Sequence, residues 1–100
     1  MYKTIIYLKD SVGGDRLLAL TNIIEKAFVN RVGSLRNVGS HPREFIFQGN
    51  EDYYGCLDLA MLSLGGTPGF LNFVHAWAWI DEDPDENCDM LGFFARHPLY

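Results

Sequence analysis

The sequence predicts an α+β fold built on a mainly antiparallel sheet, and three observations carry that prediction. Residues 2–9 and 70–80 alternate with the period of two that a pleated strand imposes. Residues 15–32 repeat apolar side chains every three or four positions, as an amphipathic helix does. Glycine or proline punctuates the junctions between such segments. With 100 residues, 48% of them apolar and 21% charged, the chain is expected to form a single domain over 1–100, and its composition is far from that of a disordered segment.

The first strand, 2–9, puts Tyr2, Thr4, Ile6 and Leu8 on one face and Lys3, Ile5, Tyr7 and Lys9 on the other. Residues 10–14 break it. Over 15–32 the positions Leu17, Leu20, Ile24, Ala27, Phe28 and Val32 form an apolar stripe opposite Asn22, Glu25, Lys26 and Asn30, which predicts a helix capped by Asp15 and stopped by Gly33. Two short extended pieces, 35–38 and 43–48, flank the turn residues Gly39, Ser40, His41 and Pro42. Residues 51–64 alternate at Tyr53, Gly55, Leu57, Leu59 and Met61 as a strand would. Their Leu, Ala and Met content, an N-cap at Asn50 or Asp52 and a stop at Gly65-Gly66 nevertheless favour a helix over a strand.

A strand over 70–80 sets Phe70, Asn72, Val74, Ala76, Ala78 and Ile80 against Leu71, Phe73, His75, Trp77 and Trp79. The small alanines suit the side that helices cover, which leaves Phe73, Trp77 and Trp79 as an open aromatic face and His75 packed within it. Residues 90–96 read as a last apolar strand, in a hairpin with 70–80. Strand, helix, strand, strand, helix, strand, plus one added strand, is the order of a ferredoxin-like sandwich, with four to five strands and two helices on one face.

Charge is distributed unevenly. Of thirteen acids facing eight Lys and Arg, six (Asp81, Glu82, Asp83, Asp85, Glu86 and Asp89) fall within nine residues that hold no base, so one hairpin loop carries the net charge of −5. Duplex DNA is a poor partner for such a field. The longest nearly uninterrupted apolar stretch, 70–80, is too short to span a bilayer, for which about 20 residues are needed. No apolar run ahead of small residues marks a secretory leader, so a cytoplasmic location and free thiols at Cys56 and Cys88 are expected.

Motifs for chemistry are weak throughout. Asp81, Asp83 and Asp85 copy the first three ligand positions of a calcium loop, but Glu86 stands where glycine is required and Gly92 where a bidentate glutamate is. His41, His75, His97, Cys56 and Cys88 lack the spacing of zinc ligands, and nothing local activates a cysteine–histidine pair. The glycines of 65–69 precede a strand rather than a helix and lack a P-loop lysine, so they read as a helix stop and turn. Neither a cofactor nor a metal site is expected, and no catalytic residue.

These observations lead to the expectation of a small acidic, non-enzymatic binding protein. Its partner surface would combine Asp81, Glu82, Asp83, Asp85, Glu86 and Asp89 with Phe73, Trp77 and Trp79, facing a protein with a basic groove. By size and charge alone this is the profile of small inhibitors of the anti-defence (anti-CRISPR, from phage) or toxin-immunity kind. A ferredoxin-like RNA- or ligand-binding domain, a small dimeric enzyme, and a homodimer formed through the aromatic sheet face are the alternatives.

Overall fold

The computed structural model describes residues 1–29 and 35–98. The first strand, β1 (Tyr2–Leu8), lies between two antiparallel neighbours, β2 (Glu44–Gly49) and β3 (Val74–Ile80). A two-residue β4 (Cys88–Asp89) extends the sheet past β3, giving the order β2-β1-β3-β4. Among the described residues the helices are α1 (Gly14–Val29), α2 (Tyr54–Gly65) and α3 (Met90–Arg96), with 3-10 turns at Glu51–Tyr53, Phe70–Phe73 and Pro84–Glu86.

The α+β class and the antiparallel sheet are therefore as expected, whereas the ferredoxin-like order is not. That arrangement separates the two strands joined by its first helix with a third strand. Here β1 and β2 pair directly, from Tyr2 opposite Gly49 to Tyr7 opposite Glu44. Only β2 and β3, which lie on either side of β1 and are linked through α2, form a split crossover unit.

A second correction concerns residues 90–96, which form α3 rather than a strand. Asp89 supplies the reason: its carboxylate accepts the Gly92 N–H at 3.2 Å as an N-cap, and Met90 and Phe94, one helical turn apart, are the buried positions. The helix expected over 51–64 is present as α2, after the 3-10 turn Glu51–Tyr53 that Asn50 caps by accepting the Asp52 N–H at 3.0 Å. Asp15 lies within the first turn of α1 rather than at its cap, and the expected end of that helix, with Asn30, Val32 and Gly33, falls outside the described residues. Residues 35–38 form no strand, but their backbone follows the outer edge of β2. Val38 N–H donates to Ile46 O at 2.9 Å, and Asn37 Oδ1 accepts Ile46 N–H at 2.9 Å.

The largest correction is the orientation of β3. Residues 70–73, expected within this strand, form a 3-10 turn before it, and the register slips between Tyr7, opposite Ala76, and Leu8, opposite Val74. The extra residue in β3 is a β-bulge, which resets the alternation so that Val74, Trp77 and Trp79 share one face. That face is the covered one: Trp77 is 1% exposed and Trp79 6%, both within the core that Thr4, Ile6, Leu8, Phe45 and Phe47 build with the helices. His75, expected to pack within the aromatic face, is exposed on the bulge. The alanines lie on the opposite face, with Ile5, Tyr7, Ile46 and Ile80 half-buried around them.

Indole rings pack under helices here because their polar atoms are satisfied. Trp77 Nε1–H donates to Thr4 Oγ1 at 2.8 Å, and the Thr4 hydroxyl donates to Ala78 O at 3.3 Å. Phe70 meets Trp77 edge-on at 5.9 Å, and Phe94 of α3 lies 5.1 Å away on the same ring.

Candidate functional site

The acidic loop leaves β3 at Ile80 and returns through Asn87 to β4. It is held by its own side chains. Asp81 N–H donates to Asn87 Oδ1 at 2.7 Å, Asp83 N–H to Asp81 Oδ1 at 3.0 Å, and Asp85 N–H to Asp83 Oδ1 at 3.0 Å. Pro84 opens the 3-10 turn that follows, with Asp83 as its N-cap. Such Asx bonds replace the regular ladder with a defined turn, so the carboxylates are presented on an ordered backbone.

Of the expected partner residues, Glu82, Asp83, Asp85, Glu86 and Asp89 are exposed and Asp81 is half-buried. Asp89 is spent on the α3 cap. Among the described residues the ion pair of the loop is that between the Met1 amine and Glu82 Oε1, at 3.2 Å and largely in solvent. Of the expected aromatic group, the buried Trp79 borders this surface, through its bond to Asp81, and Trp77 does not. Trp77 and Trp79 are core, so neither is a free anchor, and the face expected to meet a partner or a second copy is covered by helices. Phe73 is half-buried, with the Arg16 guanidinium 4.8 Å over its ring.

Asp81 connects the loop to the core. Its carboxylate lies below the ordinary carboxylate pKa, first through the Asp83 backbone N–H and then through Trp79 Nε1–H, which donates to Oδ2 at 3.0 Å. Tyr2 stacks on the Trp79 ring at 5.8 Å and Tyr54 meets it edge-on at 5.7 Å. Desolvation and then the charges of Glu82, Asp81 and Glu51 raise the Tyr2 phenol above its usual pKa.

Beside this cluster, between α2, the acidic loop and α3, lies a pocket of about 290 Å³. Tyr54, Trp79 and Phe93 contribute its rings and Asp58, Asp81 and Glu86 its carboxylates, while Met61, Leu62, Cys88 and Met90 complete the wall. Among the described residues no Lys or Arg lines it. A shallower hollow of about 390 Å³ runs along the β3–β4 edge, over Ala76, Ala78 and Ile80. Among the described residues no three His, Cys, Asp or Glu side chains converge as metal ligands. The His41 imidazole stacks on Tyr7 at 5.7 Å, and that of His97 lies tilted against Phe93 at 4.7 Å.

No protein-family model, curated protein or solved structure matches the chain. No helix among the described residues is long and apolar enough to cross a membrane.

Asp58 and Tyr54 are the site residues that sequence reasoning missed. The signal was present: Tyr54, Asp58 and Leu62 recur every four residues, which sets them on one helical face once 51–64 is taken as a helix. Alternation at Tyr53, Gly55 and Leu57 directed attention to the other parity.

Proposed function

We propose that the protein is a non-enzymatic binding protein whose acidic hairpin, residues 81–89, docks against a basic surface of a partner protein. The observation that supports this most is the ordered loop itself, in which Glu82, Asp83 and Asp85 are exposed on a backbone pinned by three side-chain hydrogen bonds. A charged surface that is already ordered loses little entropy on docking and accelerates encounter with a complementary one. Inhibition is the form this takes when the basic surface is the partner's own nucleic-acid groove or active site, as in the anti-defence and toxin-immunity classes, since occupancy alone then suffices.

The test compares the parent with Glu82→Gln/Asp83→Asn/Asp85→Asn, which removes three charges and retains an oxygen acceptor at Asp83 for the Asp85 N–H. Proteins captured by the parent from the source cells at low salt should be released as salt rises, and the variant should associate with them at least tenfold more slowly. Equal association rates for the two forms would refute the reading.

A further inference from the structure

The pocket between α2, the acidic loop and α3 has a composition that the loop alone does not explain. Its carboxylates come from three separate places: Asp58 from the middle of α2, Asp81 from the end of β3, and Glu86 from the return of the loop. Among the described residues neither the Asp58 nor the Glu86 carboxylate has a hydrogen-bond or ion-pair partner, and no cation lines the walls. Rings of Tyr54, Trp79 and Phe93 supply the rest, and Tyr54 remains 46% exposed at the mouth.

We propose that this pocket is a receptor for an alkyl chain ending in an ammonium group, presented as a lysine side chain of the partner protein. The inference deepens the reading of an acidic docking surface and rests on it. Its physical grounds are three. At about 290 Å³ the pocket is at the lower limit of small-molecule sites, suited to a side chain rather than a nucleotide or a prosthetic group. Apolar walls at Met61, Leu62 and Met90 match the methylene stem of lysine, while ring quadrupoles and carboxylates together favour a cation at its tip. Dispersed carboxylates suit the three diverging donors of an ammonium better than the planar fork of a guanidinium, and they do not converge as a divalent ion requires.

The experiment is a titration of the full chain, followed by the two tryptophan indole N–H resonances. Trp79 donates to Asp81 at the pocket wall, while Trp77 donates to Thr4 inside the core and serves as the internal control for folding. Nα-acetyl-lysine-methylamide should shift the Trp79 resonance saturably and leave that of Trp77 unchanged. Asp58→Asn/Glu86→Gln, two isosteric changes at exposed positions, should weaken the apparent affinity at least tenfold with the Trp77 resonance intact. Glu82→Gln/Asp83→Asn/Asp85→Asn, which spares the pocket, should bind the probe within about twofold of the parent.

Absence of a saturable shift would overturn the proposal, as would equal binding of the side-chain-acetylated, uncharged analogue. Tighter binding of 1,5-diaminopentane or of an alkylguanidinium would overturn the occupant named here. A failed titration beside intact, loop-dependent capture of basic proteins removes the pocket and leaves the docking reading; a successful titration beside loop-independent capture does the reverse.

Discussion

Thr4 is the one fully buried polar side chain among the described residues, and its hydroxyl is the acceptor for the Trp77 indole. Thr4→Val preserves shape but leaves Nε1–H without a partner in a dry core, at a cost of about 1–3 kcal/mol in denaturant unfolding. Thr4→Ser keeps the acceptor, so the Trp77 indole N–H should stay protected from hydrogen exchange in Ser and lose that protection in Val. Asp81 gives a second residue-level expectation. Its folded-state pKa is depressed, so the stability it contributes is present above the unfolded value of 3.8 and is lost as pH falls through the lower folded value. The Trp79 indole resonance should therefore titrate with a midpoint below 3.8 and show no such step in Asp81→Asn; a midpoint at or above 3.8 would contradict the hydrogen-bonding account. The Thr4–Trp77 partnership is not visible in sequence, because the two are 73 residues apart and alternation identifies shared faces without saying which face is covered.

At the scale of elements, what was legible followed from local periodicity and what was not depended on tertiary register. The strand of residues 2–9 and the helix beginning near residue 15 follow directly from spacing, and the Asn50 and Gly65-Gly66 signals bracket α2. The bulge opposite Tyr7 and Leu8 leaves no sequence mark, yet it decides which side of β3 is core. In α3 the cap at Asp89 and the helix-forming Met90, Leu91, Ala95 and Arg96 are helix signals that a reading from apolar density alone passes over. The glycines of α2 test the packing that resulted. A Cβ on Gly65 would run into the Phe94 ring of α3, whereas one on Gly55 would meet open space, and neither glycine has a positive φ. Gly65→Ala should destabilise by about 1–3 kcal/mol through overpacking. Gly55→Ala should stabilise by about 0.4–1 kcal/mol by restricting the unfolded chain. Opposite signs for one substitution in one helix, read from thermal or denaturant midpoints, would verify the α2–α3 contact.

For the molecule as a whole, the net charge of −5 is concentrated at one end of the sheet, and that asymmetry was the property most plainly written in the sequence. Its consequence for stability is distinct from its consequence for binding. Glu82, Asp83 and Asp85 repel one another and the nearby Asp81 and Glu86 in the folded state, and the exposed contact of Glu82 with the Met1 amine offsets little of this. Unfolding lets these charges separate. Replacing the three with amides should therefore raise the melting temperature at low ionic strength, by an amount corresponding to a few tenths to about 1 kcal/mol. Because screening shortens the reach of exposed charges to about 3 Å at 1 M salt, the parent and the variant should converge as salt is added. The measurement is a pair of melting curves across a sodium chloride series. A variant that melts lower than the parent at every salt concentration would mean that these carboxylates hold the loop and sheet together, and that the acidic hairpin is a structural brace rather than a surface kept for a partner.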